Sequence, residues 1–144
     1  MVSSDATRFE RLTGILQARP EILDGYVFGS EARGEAQAHS DLDEAVFIDR
    51  ARAGKPPFGY EAELGTVLTA ALGRTRIDVV VLNDAPPLLY HRVLRDGVRL
   101  VSREPKATTG REGYALSRYC DYVPQLAKIE AAHRARIERG DFGR

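Results

Sequence analysis

Apolar positions along the chain fall into alternating helical and strand patterns. Phe9, Leu12, Ile15 and Leu16 recur at helical spacing behind the capping candidates Ser3, Ser4 and Asp5, with Pro20 just past the end. That spacing predicts a first helix. After Asp24-Gly25, the short apolar run Tyr26-Val27-Phe28 reads as a buried strand that stops at Gly29-Ser30. The segment Glu31 to Ser40 is polar and rich in Ala and Glu, and reads as a helical turn leading to a second strand over Asp41 to Ile48. Arg50 to Gly59, with two Gly and two Pro, is the most loop-like stretch.

Further on, Tyr60, Leu64, Val67, Leu68, Ala71 and Leu72 trace one helical face ended by Gly73, and Arg76 to Leu82 forms a strand with an acid inside it. Pro86 and Pro87 suit the first turn of a short helix through Leu94, capped by Gly97, and Val98 to Val101 reads as an edge strand. Leu116, Tyr119, Val123, Leu126, Ile129, His133 and Ile137 then fall near 3.6-residue spacing, with Pro124 marking a kink. Part of that face is expected to pack on the sheet. The reading is an α/β (α+β) chain: residues 1–104 form a small mixed β-sheet flanked by helices, and 105–144 a C-terminal helical tail packed on it or on a partner.

Composition narrows the function. The 144 residues carry 21 Lys+Arg against 21 Asp+Glu, a formal net charge of zero. A protein that clamps many phosphates needs a basic surface, so direct nucleic-acid binding is not expected. Residues 1–104 hold 13 basic and 16 acidic side chains, and residues 105–144 hold 8 and 5, which makes the tail mildly basic. A single Cys120 cannot form an internal disulfide, the start MVSSDATRFE lacks an apolar core of a leader, and no run approaches membrane-spanning length. These features predict a cytoplasmic chain without membrane contact.

The chemistry sits in Gly29-Ser30, ten residues, then Asp41-Leu42-Asp43, with a further strand acid at Asp78. Residues i and i+2 of a strand share a face, so Asp41 and Asp43 present two carboxylates about 7 Å apart. Such like charges call for a cation, and hard oxygen ligands suit Mg²⁺. If its strand is adjacent, Asp78 completes a carboxylate triad able to hold two divalent ions, one lowering the pKa of an attacking hydroxyl and one neutralising a leaving phosphate. Gly29-Ser30 ends a strand and opens a helical turn, where free N–H groups and the helix dipole attract an anion. Carboxylates for metal beside donors for phosphate form the layout of a nucleotidyl-transfer site.

The segment VFGSEARGEAQAHSDLDEAVF resembles the signature of the minimal nucleotidyltransferases in the DNA-polymerase-β-like superfamily, and the likeness continues through RIDVVVLNDAPPLLYHRVLRDGVRLV, covering about residues 8 to 103. The resemblance implies the nucleotidyltransferase fold. It further implies that Gly29 and Ser30 hold a nucleotide triphosphate, ATP, while Asp41, Asp43 and Asp78 are catalytic and bind two Mg²⁺. Family members of this size are commonly antitoxins that silence a HEPN-domain RNase toxin by transferring AMP to one of its tyrosines. That role is what the resemblance implies here. Two other readings are open: transfer to a small molecule of aminoglycoside type, or a catalytically idle antitoxin that masks its partner.

Several positions have two readings. Arg33 either binds the triphosphate or braces the motif helix, and Asp84 is either a helix cap or a rival to Asp78 as third ligand. Lys55 is read as a solvated loop lysine, His91 and His133 as packing or surface residues, and Cys120 as a small core residue. Tyr114, Tyr119 and Tyr122 are read as helix packing. Glu44 departs from the family's aliphatic residue and points with Leu42 and Val46 to the packed face, where an Arg partner is expected.

Overall fold

The computed structural model describes residues 4–29, 42–73 and 76–140, with side chains from Phe9 onward. Helix α1 (Ser4–Gln17) leads into β1 (Ile22–Phe28), and β2 (Leu42–Ile48) follows. The connection expected between these strands, 31–40, lies outside the described residues. Helices α2 (Arg50–Ala53) and α3 (Tyr60–Leu72), strand β3 (Ile77–Val81), a 3₁₀ turn (Leu82–Asp84), α4 (Pro87–Asp96), β4 (Val98–Ser102) and α5 (Pro105–Glu138) complete the order.

The sheet runs β3-β2-β1-β4, with β1 antiparallel to both neighbours and β2 parallel to β3. It is mixed because of how its strands are connected. The crossover through α3 returns the chain to the same end of the sheet, so β3 joins in parallel. Gly73 ends α3 in the left-handed conformation, φ 65°, and donates its N–H to Thr69.

Strand alternation divides the core in two. On one face Leu42, Val46 and Ile48 of β2 meet Val27 of β1, Leu12 and Leu16 of α1, and Leu64 and Leu68 of α3. The other face gathers Tyr26, Phe28 and Ala45 with Tyr90 and Val93 of α4 and Ala115 of α5. Arg103, past the end of β4, donates to the carbonyls of Gln17, Arg19 and Ile22, and so ties the end of α1 to the start of β1.

Five expectations need correction. Strand β1 starts at Ile22 rather than Tyr26, so Asp24-Gly25 is strand and not turn. Asp24 tolerates that position because its fully buried carboxylate is paired: Arg111 Nε and Nη2 donate at 2.7 and 2.9 Å, and Thr108 Oγ1 at 2.7 Å. The first half of the loop-like stretch is the short helix α2, capped by the Asp49 side chain on Ala51 N–H.

Helix α5 runs on through Pro124, and it packs through another face than the apolar stripe predicts. Its buried residues are Thr108 and Ala115, whereas Leu116, Val123, Ile129 and Ile137 are exposed. The polar anchors to Asp24 fix the rotation of the helix. Cys120 is likewise exposed, not a core residue, and so is Tyr114, not packed as expected.

Candidate active site

Strand β1 delivers its last residues to the edge of the site, where Phe28 pairs with Asp43. Gly29 follows with φ +76°, in the region that L side chains rarely adopt. A Cβ at this position would also collide with Oδ2 of Asp43. Backbone and carboxylate therefore meet at a distance only glycine allows.

Asp43 is in direct register with Asp78 on the parallel neighbour β3. Paired residues of adjacent strands share a face, and the strands lie about 4.8 Å apart. Two carboxylates are thus held side by side on the α4/α5 face of the sheet, where their mutual repulsion favours a bound cation. Asp78 is about half exposed, and Arg76 Nε stands 3.4 Å from its Oδ1. The Arg76 pairing is long and solvated, so it offsets the charge only weakly. Hard oxygens, close spacing and an opening toward solvent all fit a divalent ion such as Mg²⁺.

Of the residues expected at the site, Gly29, Asp43 and Asp78 are thereby brought together. Ser30, Arg33 and Asp41 lie outside the described residues. Asp84 is neither the helix cap nor the rival ligand. It sits past the opposite end of β3 from Asp78, and it pairs with Arg50, while Pro86 occupies the N-cap of α4.

The family model of polymerase beta nucleotidyltransferases matches residues 10–106, which include this carboxylate pair and the glycine beside it. The chain belongs to the polymerase beta nucleotidyltransferase family. Among solved structures, a tri-AMPylated Shewanella oneidensis HEPN toxin in complex with an MNT antitoxin contains a similar chain, with TM-score 0.68 and 21% identity over 90% of this chain and 98% of that one. A toxin–antitoxin crystal structure with AMP-PNP is similar at TM-score 0.61 and 21% identity, covering 91% of this chain and 96% of that one. A candidate minimal nucleotidyltransferase is 35% identical over 65% of this chain and 89% of its own, with TM-score 0.51. No curated protein matches.

The opposite face of β2 carries a buried acid. Glu44 is fully buried between its register partners Val27 and Val79, and no donor meets either of its oxygens, so the expected Arg partner is not there. Burial outweighs a weaker pull from the Tyr26 backbone and drives the carboxyl group well above the usual carboxylate range. Burial thus favours the neutral acid at Glu44 in this apolar layer. The side chain points away from Asp43 and takes no part in the carboxylate pair.

The remaining expectations are minor. Lys55 is exposed between α2 and α3, and His133 is exposed on α5. His91 stacks on Tyr119, ring centroids 3.6 Å apart and planes within 2°, which makes it a packing histidine. Arg76 was not singled out from the sequence, although its place two residues before Asp78 puts it on the same strand face. No helix among the described residues is long and apolar enough to cross a membrane.

Proposed function

We propose that this chain is a Mg²⁺-dependent adenylyltransferase that moves AMP from ATP to a tyrosine hydroxyl of a HEPN-domain RNase toxin and thereby acts as its antitoxin in the cytoplasm. The observation that carries this reading is the in-register pair Asp43 and Asp78 with Gly29 against it. The solved relatives support the nucleotide and the partner, since one pair holds AMP-PNP and another a tri-AMPylated HEPN toxin.

In this reading Asp41, Asp43 and Asp78 hold the metal, and Asp78, whose side chain is about half exposed, also accepts the proton of the acceptor hydroxyl. Bound divalent ions supply charge neutralisation along the triphosphate and acidify the attacking hydroxyl. Gly29 and Ser30 hold the β- and γ-phosphates, with Gly29 letting the backbone approach closely, and Arg33 adds a cation. Residues 105–144 serve as a tail that rests on the sheet through its first turns and offers its far half to the partner. Positioning for in-line attack, rather than covalent chemistry by the protein, supplies the rate. The test is label transfer from α-phosphate-labelled ATP to a HEPN toxin: incorporation in step with loss of RNase activity supports the proposal, and toxin silencing without incorporation contradicts it.

A further inference from the structure

The end of the sheet that carries the site is laid out as a row. Gly29 follows β1, Asp43 stands on β2 and Asp78 on β3, with neighbouring strands about 4.8 Å apart. With the phosphates held at Gly29, in-line attack brings the acceptor to the far side of the row, over β3. Among the described residues β3 is an edge of the sheet. The surface beside it is a groove of about 560 Å³ against α3, lined by Ala62, Thr66, Thr69 and Ala70 together with Arg76 and Ile77. The α3 side chains named here are short, so the main chain of a protein acceptor has room to approach from this side.

Arg76 marks that side of the site. It lies two residues before Asp78, so its side chain shares the face of the carboxylate pair. Its carbonyl accepts the N–H of Leu42 at 3.3 Å, which fixes the backbone, while its side chain is 68% exposed. Nε stands 3.4 Å from Asp78 Oδ1, against about 2.8 Å for a close charge-assisted hydrogen bond. The guanidinium accompanies Asp78 without closing on it.

A phenol that donates to Asp78 places its oxygen about 2.7 Å from the carboxylate, with the ring directly behind it. On the Arg76 side of the carboxylate, that ring falls within the roughly 6 Å over which a guanidinium is attracted to an aromatic face. The planar head of arginine stacks on such rings. A serine or threonine hydroxyl offers no face to cover, and its short stem would draw the acceptor's main chain up against the carboxylates.

We infer that Arg76 selects an aromatic acceptor, its guanidinium lying over the ring of the tyrosine whose hydroxyl is poised at Asp78. The inference rests on the adenylyl-transfer reading, which sets the phosphates at Gly29 and the acceptor proton at Asp78, and it assigns acceptor specificity to the edge strand.

The test compares the wild type with Arg76→Gln and Arg76→Lys in AMP transfer to a HEPN toxin, and in calorimetric titration with AMP-PNP and Mg²⁺. Arg76 is exposed, so its replacement does not endanger the fold. Arg76→Gln raises KM for the toxin about tenfold, the scale of a lost cation–π contact, with a smaller change in kcat and with wild-type affinity for AMP-PNP. Arg76→Lys, which keeps a cation at the ring, recovers part of the loss, and peptide mapping of the wild-type product places the AMP on a tyrosine. An unchanged KM in Arg76→Gln, or AMP found on serine or threonine, overturns the inference while the transferase reading stands. Weakened AMP-PNP binding in Arg76→Gln also overturns it, because Arg76 then serves the phosphates. Wild-type chain that neither binds AMP-PNP nor labels the toxin overturns the transferase reading and the inference with it.

Discussion

Gly29 and Asp43 are packed so closely that a single methyl group on residue 29 would displace the carboxylate. The backbone at Gly29 is also left-handed. Gly29→Ala therefore strains the chain and moves the Asp43 carboxylate at once. We expect a stability loss of about 1–2 kcal/mol from the backbone alone, measured by urea denaturation, and a fall in transfer rate of at least about 100-fold from the misplaced carboxylate. Gly29→Ala with wild-type transfer would mean that the close approach has no function.

The carboxylate pair is costly without a cation. Asp78→Asn removes the repulsion between the two carboxylates, so the variant is expected to match or slightly exceed the wild type in thermal stability without Mg²⁺. In the wild type added Mg²⁺ raises the melting temperature by mass action, and in the variant this shift shrinks or vanishes. An equal Mg²⁺ shift in both proteins would show that the ion binds elsewhere.

Glu44 makes stability depend on pH in a definite direction. The folded protein keeps this proton in a range where the unfolded chain, with a glutamate value of about 4.3, has released it. Stability from this group is complete below that value and declines as pH rises toward the raised folded value, by up to about 1.4 kcal/mol per pH unit. Replacing Glu44 by Leu flattens that slope and raises stability at neutral pH by about 1–3 kcal/mol, because an unpaired buried carboxyl is removed. Denaturant midpoints from pH 4 to 8 check both statements, and parallel pH profiles for the two proteins would show that Glu44 is not the titrating group.

The hold of α5 on the sheet depends on Asp24. With Arg111 replaced by Ala, the fully buried carboxylate keeps only Thr108 as a neutral donor, and a loss of about 3 kcal/mol is expected. The double replacement Asp24→Asn with Arg111→Met recovers most of that loss, since no charge is then stranded. If the single replacement costs no stability, the helix is anchored by its apolar contacts instead.

Nearly the whole stretch 128–138 of α5 is exposed. Removing residues 128–144 is expected to change the unfolding free energy, measured by urea denaturation, by no more than an exposed-surface substitution does, about 0.5 kcal/mol. A large loss of stability would show that the far half of the helix is part of the fold.

Much of this was legible in the sequence. Helix α3, with its Gly73 stop, and the β3 acid appear in the pattern because amphipathic spacing and turn chemistry are local properties. The parallel β2–β3 pair follows from the helix between those strands, and it makes Asp43 and Asp78 neighbours. What the sequence hid depends on tertiary partners. Asp24 in a strand makes sense only once Arg111, 87 residues away, is in place. The rotation of α5 is set by those same polar anchors, so its apolar stripe misleads about burial. Glu44 calls for a partner by every local rule, and the fold resolves it by protonation instead.

The central claim is that the Asp43–Asp78 pair transfers AMP to a protein hydroxyl. Intact-mass spectrometry of a HEPN toxin, after incubation with this chain, Mg²⁺ and ATP, tests it most directly, alongside the variant Asp43→Asn with Asp78→Asn. The account predicts one or more AMP additions with the wild type and none with the variant. Equal adducts with both proteins, or none with either while the complex still forms and silences the toxin, would contradict it.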